Sequence, residues 1–208
     1  MPLYPEYAKE LQSLVEQDQQ QWKAFWRQHY QKQDSYGFKT AFKKVRLQQH
    51  AHTKRMTAIL DKIQEPSITN IGKEAAQAIS IIALHDSLPI LKRVLKAFEV
   101  GYLRAKKDTY YQAIPSMTDQ VLLLERNPQR FGTQWEGNGL SEPFLPTVAD
   151  FEHVNERRAV YGIEPLRWPK SLAIPEVEQP WLQKPITDLI MRDLSEEEFI
   201  RSYAEYLI

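Results

Sequence analysis

Between Ala75 and Leu84 the chain is apolar on nearly every side: Ala75, Ala76, Ala78, Ile79, Ile81, Ile82, Ala83 and Leu84, interrupted only by Gln77 and Ser80. Such a segment is far too short to cross a bilayer, which takes about 20 apolar residues. A helix apolar all round has to be enclosed by other elements. The segment therefore predicts a central, buried helix over Lys73–His85, and the rest of the chain must supply amphipathic helices to wrap it.

The flanks do so. Glycine is scarce, 7 in 208 residues, and long stretches free of Gly and Pro, rich in Gln, Lys, Glu, Ala and Leu, favour helix. From Pro5 to about Gln31, Tyr7, Leu11, Leu14, Val15, Trp22, Phe25 and Trp26 recur at helical spacing, with Pro5 suited to a first turn. After a break at Asp34–Gly37, a second helix is expected over Lys39–Ile63, carrying Phe42, Val45, Leu47, Met56, Ile59, Leu60 and Ile63. A connection at Pro66–Gly72 leads into the buried helix. A fourth helix is expected over Pro89–Val100, with Leu91, Val94, Leu95 and Phe98 on one face, and a fifth over Ser116–Glu125. Eight of the 13 prolines fall between residues 127 and 185, so loops and short helices are expected there, the clearest at Val148–Tyr161. Ser195 and Glu198 form a capping box that opens a terminal helix, Leu194–Leu207. The fold class is all-α: a helical domain over residues 1–168, with 169–208 a proline-rich segment and a terminal helix packed on it.

Composition narrows the function classes. Lys plus Arg and Asp plus Glu are both 27, so the excess positive charge on which phosphate-backbone affinity rests is lacking and no nucleic-acid partner is expected. Cysteine is absent, which excludes disulfides, thiol nucleophiles and Cys-ligated metals. Met1–Gln31 lacks the pattern of a secretory signal, and no membrane partner is expected; the expected location is the cytoplasm. Residues 1–60 carry ten basic against five acidic residues, and 171–208 three against eight. Docking of one end on the other, or separate partners for each, would both account for that asymmetry.

The chain has no phosphate-binding glycine loop, dinucleotide fingerprint, His-Glu-x-x-His pair or nucleophile elbow. His50 and His52, two apart on a helix, point to different faces and read as exposed polar residues. Trp22, Phe25, Trp26 and Tyr30 read as a packing stripe. His85-Asp86 closes the most apolar helix, so His85 is a candidate general acid/base; the other reading is a histidine bonding the last helix carbonyls. Gln129-Arg130-Phe131-Gly132-Thr133-Gln134-Trp135 mixes guanidinium, amides and hydroxyl in the way a site for an anion or small polar molecule does. In Asn155-Glu156-Arg157-Arg158 only one of the adjacent arginines is expected to face inward.

Taken in order, these motifs resemble a bacterial family known as domain of unknown function 6624. Its pattern is an Asp-Gln helix, a Val/Ile-Gly before an Ala-rich helix ending in His-Ala/Asp, then Asp-Arg, Gln-x-Tyr-Gly-Thr-Gln, and Arg-Arg-x-x-x-Gly-Leu-x-Pro-Leu. The matching stretches are Asp18-Gln19, Ile71-Gly72 with Ala75–Asp86, Asp119-Gln120, Gln129–Gln134, and Asn155–Arg158 with Gly162–Leu166, spanning about residues 18–168. Gln120 stands in place of the family's arginine and Phe131 in place of its tyrosine. The resemblance implies a shared site but no named reaction or cofactor.

Two function classes follow. One is a small-molecule or anion site, catalytic if His85 moves a proton, with Asp119, Gln120, Gln129, Thr133, Gln134 and Arg157 or Arg158 binding the ligand. The other is a non-catalytic interaction or regulatory module in which the same residues form a structural hydrogen-bond network. No metal site is assigned. Self-association through the amphipathic helices stays open.

Overall fold

The computed structural model describes residues 1–29, 36–134 and 145–167, and the side chains of these apart from 26–29 and 36–39. The helix expected at Leu194–Leu207 lies outside the described residues, as do Trp135 and the side chains of Trp26 and Tyr30. The described residues form an all-α fold without a strand. In chain order the helices are α1 (Pro5–His29), α2 (Tyr36–Ile63), α3 (Ile68–Ile71), α4 (Lys73–Leu84), α5 (Leu88–Ala105), α6 (Ile114–Leu124) and α7 (Val154–Val160). No helix among the described residues is long and apolar enough to cross a membrane.

α4 is the buried centre, as its composition requires: Ala75, Ala76, Ala78, Ile79, Ser80, Ile82 and Ala83 are all buried. Small alanines let α1 and α2 approach on one side and α5 and α6 on the other. The buried face of α5 is Leu91, Val94, Leu95 and Phe98, the face the spacing predicts. The helix runs five residues past the expected Val100, through Gly101. A Cβ at Gly101 would stand 2.9 Å from Thr109 Oγ1, so the glycine admits the chain packed across it rather than ending the helix.

The segment expected as a helix over Val148–Tyr161 is helical only from Phe151, as a turn of 3₁₀ helix followed by α7. Upstream of it the chain is extended and pairs with Gln129: Gln129 N donates to Thr147 O and Ala149 N to Gln129 O, both at 2.8 Å.

Among the described residues two apolar clusters are present. The larger joins Ala8 and Leu11 of α1, Met56 to Ile63 of α2, and the buried faces of α4, α5 and α6. The smaller is Phe25 and Val45 with Trp22, Ala41 and Phe42, toward the other end of α1 and α2. Between them along both helices lies a buried polar band: Asp18 on α1, and Arg46, Gln49, His52 and Thr53 on α2.

Candidate functional site

The band follows from where its residues fall on the helical faces. On α1 the inward positions run Ala8, Leu11, Val15, Asp18, Trp22, Phe25; on α2 they run Val45, Gln49, His52, Met56, Ile59, Ile63. Alternating steps of four and three keep each set on one face. Asp18, Gln49 and His52 thus occupy positions that packing alone would give to Leu or Ile. A buried aliphatic side chain there would contribute about 1.5–3 kcal/mol, whereas a buried ion has a desolvation penalty of several kcal/mol.

The band closes on the corner between α4 and α5. His85 is the C-cap of α4. Its carbonyl, one of the acceptors a helix end leaves open, takes hydrogen bonds from Arg46 Nη1 at 2.6 Å and from Gln49 Nε2. Arg46 Nη1 also donates to Gln49 Oε1 at 2.6 Å. Thr53 Oγ1 donates to Asp86 Oδ2, while Asp86 Oδ1 accepts from Ser87 N at 2.6 Å and Ser87 Oγ at 2.9 Å, just before α5 begins. Three side chains of α2 therefore pin the corner.

The His85 ring faces α1. Its Nδ1 bonds Asp18 Oδ2 at 2.6 Å, and its ring centroid is 5.7 Å from that of Trp22. The Asp18 side chain is 1% exposed and that of His85 is 35% exposed. With Asp18 ionised, Nδ1 carries the hydrogen of this bond and Nε2 is left as the outward-acting nitrogen. A carboxylate fixing one ring nitrogen while the other stays open is the arrangement that lets a histidine accept and return a proton. Asp18 Oδ1 and His52 Nδ1 are both buried and have no hydrogen-bond partner. Burial holds the His52 imidazole below its ordinary value, against the opposing pull of the Asp18 charge, so His52 is neutral at pH 7. His50 is exposed but His52 is 5% exposed, which corrects the reading of the two as a pair of surface residues.

The loop motifs build a separate network. Asp119 on α6 is fully buried. Its Oδ1 accepts from Arg130 N at 2.7 Å and Phe131 N at 2.9 Å; its Oδ2 accepts from Thr133 N and Thr133 Oγ1, each at 2.8 Å. Gln129, also fully buried, donates from Nε2 to Gln134 O at 3.0 Å and Pro146 O at 3.3 Å, and accepts at Oε1 from Gln134 N at 2.8 Å. Gln134 Nε2 reaches Ser116 O at 3.1 Å.

Arg157 and Arg158 grip the other side of the same segment. Arg157 Nε donates to Arg130 O at 2.8 Å and Arg158 Nη1 to Phe131 O at 2.7 Å. Arg157 also bonds Asp150 Oδ2, Ala149 O and Asp150 O, and Arg158 bonds Glu164 O. The expectation of a single inward arginine is thus corrected: neighbouring carbonyls of an extended segment point to opposite sides, and each arginine takes one. Gly132 has φ +64°, and a Cβ there would lie 2.9 Å from Leu166 Cδ2, so the turn requires glycine. Phe131 is buried edge-on to Tyr161, with centroids 5.4 Å apart.

The candidate residues are therefore divided. Asp119, Gln129, Thr133, Gln134, Arg157 and Arg158 come together, with Gln120 beside Asp119 on α6 and half-buried. The side-chain and carbonyl bonds of His85 run instead to Asp18, Arg46 and Gln49, none of which was singled out as a site residue from composition or spacing. Among the described residues no three His, Asp or Glu side chains are placed to hold a metal ion. Comparison with protein families, curated proteins and solved structures finds no match to this chain.

Proposed function

We propose that the polar band between α1, α2 and the α4–α5 corner is a small-molecule site in which His85, oriented by Asp18, accepts and donates the proton of a bound ligand. The observation that carries this reading is the Asp18 carboxylate. It is fully buried, with one oxygen on His85 Nδ1 and the other unpartnered, near a buried, neutral His52 whose Nδ1 is likewise unpartnered. Polar groups left unbonded in an interior cost about 1–3 kcal/mol each, and a ligand's polar atom would recover that. The partly open imidazole supplies the route in. The resemblance to domain of unknown function 6624 rests on its motifs; it supports the reading in that the Asp-Gln and His-Asp motifs meet in the Asp18–His85 bond.

In this reading the Gln129–Gln134 loop and Arg157/Arg158 are scaffold. The side chains of Gln129, Thr133, Gln134, Arg157 and Arg158 bond partners inside the chain, most of them main-chain groups, which favours the structural alternative for these residues. The test is a thermal-shift screen of small amines, alcohols, carboxylates, phosphates and nucleotides on the wild type and His85→Asn. A ligand that stabilises only the wild type supports the site. Equal responses of both proteins across the screen would sink it.

A further inference from the structure

We infer that the outward face of α5, at Lys96, Val100 and Leu103, is the docking surface for the chain's own segment 194–207. Six large apolar side chains stand exposed among the described residues, and three of them lie toward one end of α5. Val100 and Leu103 are on the helix itself, and Leu103 is 83% exposed. Val160 is brought to the same end, where Lys106 Nζ bonds its carbonyl at 3.3 Å. Lys96, Val100 and Leu103 follow at steps of four and three, so they share one side of the helix, away from its buried face of Leu91, Val94, Leu95 and Phe98. A groove of about 260 Å³ opens between α5 and the end of α2, lined by Leu60, Asp61, Gln64, Arg93 and Ala97. Ala97 and Val100 are three apart on α5, so groove and stripe adjoin.

Charge names the occupant. Residues 88–107 carry six basic residues and one acidic. Lys92, Arg93 and Arg104 are paired with Glu125, Asp61 and Glu65, whereas Lys96 and Lys107 are exposed and make no ion pair among the described residues. A second copy docking face to face would set those lysines against like charges. Segment 194–207, outside the described residues, is complementary in sequence. It holds four acidic residues against one basic, the capping box of Ser195 and Glu198, and Phe199, Ile200, Tyr203, Tyr206 and Leu207 at helical spacing. A helix of that pattern sets its apolar side on Val100, Leu103 and the groove, and its carboxylates against the lysines. The last described residues lie against α7, with Leu166 N donating to Asn155 Oδ1 at 2.6 Å. The 26 residues of 168–193 span up to about 86 Å when extended, several times the length of α5. A tethered segment meets the face as an intramolecular partner, so a weak contact suffices. The outward face of α2 is basic too, but Leu47 is its one exposed large apolar side chain among the described residues, too little to seat an apolar stripe.

The test uses the full chain. It has no cysteine, so Ser202→Cys takes a nitroxide spin label at one place. In ¹⁵N-labelled protein the expected result is loss of the Lys96, Val100 and Leu103 amide signals by paramagnetic broadening, reversed when the nitroxide is reduced. Lys96→Glu combined with Leu103→Glu, both at exposed side chains, is expected to restore the remaining α5 signals while amide exchange in α4 stays as in the parent. A mixture of spin-labelled chain without ¹⁵N and ¹⁵N chain without the nitroxide is expected to show no broadening. Broadening in that mixture would assign the face to a second copy and overturn the inference. Broadening confined to residues 44–54 of α2 would overturn it in favour of the amino-terminal helices. Unbroadened α5 signals, or broadening indifferent to the paired substitutions, would overturn it as well.

Discussion

Replacing Asp119 should undo the clamp on the 129–134 segment, and the size of the effect can be worked from its bonds. The carboxylate takes three backbone N–H groups and one hydroxyl at 2.7–2.9 Å, fully shielded from water. Hydrogen bonds to a charged group contribute about 1.5–3 kcal/mol each, and a buried donor left without a partner costs about 1–3 kcal/mol. Four such bonds do not add independently, and a freed loop recovers some by turning to water. Asp119→Ala is therefore expected to cost about 3–6 kcal/mol, a large share of the 5–15 kcal/mol typical of a folded domain. Asp119→Asn keeps the Oδ1 bonds to Arg130 and Phe131 but turns an NH₂ toward Thr133 N–H, for a loss of about 2–4 kcal/mol. Urea unfolding measures the totals. Amide exchange of Arg130, Phe131 and Thr133 locates them, with protection lost at these three before the α4 amides. A loss below about 1 kcal/mol for Asp119→Ala, or unchanged protection at the three amides, would refute the reasoning.

Gly132→Ala should lower the melting temperature by several degrees, because a left-handed φ and a 2.9 Å clash with Leu166 act together; an unchanged melting temperature would mean the turn is not as described. His52 sets a pH dependence. Its folded value lies below its unfolded one, so the unfolded chain takes up the proton first as pH falls below about 6.5. Stability should then decline by at most about 1.4 kcal/mol per pH unit from this residue, levelling only below the folded value. Urea titrations at stepped pH should show that decline flattened in His52→Leu; an identical slope in the variant would count against a buried neutral imidazole. On the surface, the hydrogen bond that His153 Nδ1 donates to the Asp150 carboxylate raises the His153 value above the ordinary one, with the Asp150 charge acting in the same direction. Asp150→Asn should lower the His153 midpoint in an NMR titration, and the wild-type midpoint should fall as salt is added.

The helices were readable because periodicity reports burial directly. The faces of α4 and α5 came from residues that occupy them, down to Phe98, and the extension of α5 beyond Val100 escaped because Gly101 reads as a breaker when its reason is Thr109. His85 could be singled out for its place at the end of an apolar helix. Its partners were written in the same pattern, in steps of four and three that carry Asp18 between Val15 and Trp22, and Gln49 and His52 between Val45 and Met56. Apolar residues alone mark a stripe; the polar residues that interrupt it at the same spacing mark the site, and an apolar count passes over them. The loop clamp had no such signal. Asp119, Arg157 and Arg158 bond main-chain N–H and C=O groups, which every residue carries, so nothing in the side-chain pattern distinguishes a grip on backbone from a grip on ligand.

The central claim is that Asp18 orients His85 so that Nδ1 is held and Nε2 is presented. Long-range ¹H–¹⁵N correlation of the histidine rings, recorded at a pH where His85 is neutral, reports the tautomer directly. The account predicts a hydrogen on Nδ1 of His85 in the wild type, shifting toward Nε2 in Asp18→Ala. A wild-type His85 already carrying its hydrogen on Nε2, or a tautomer indifferent to the loss of Asp18, would contradict it.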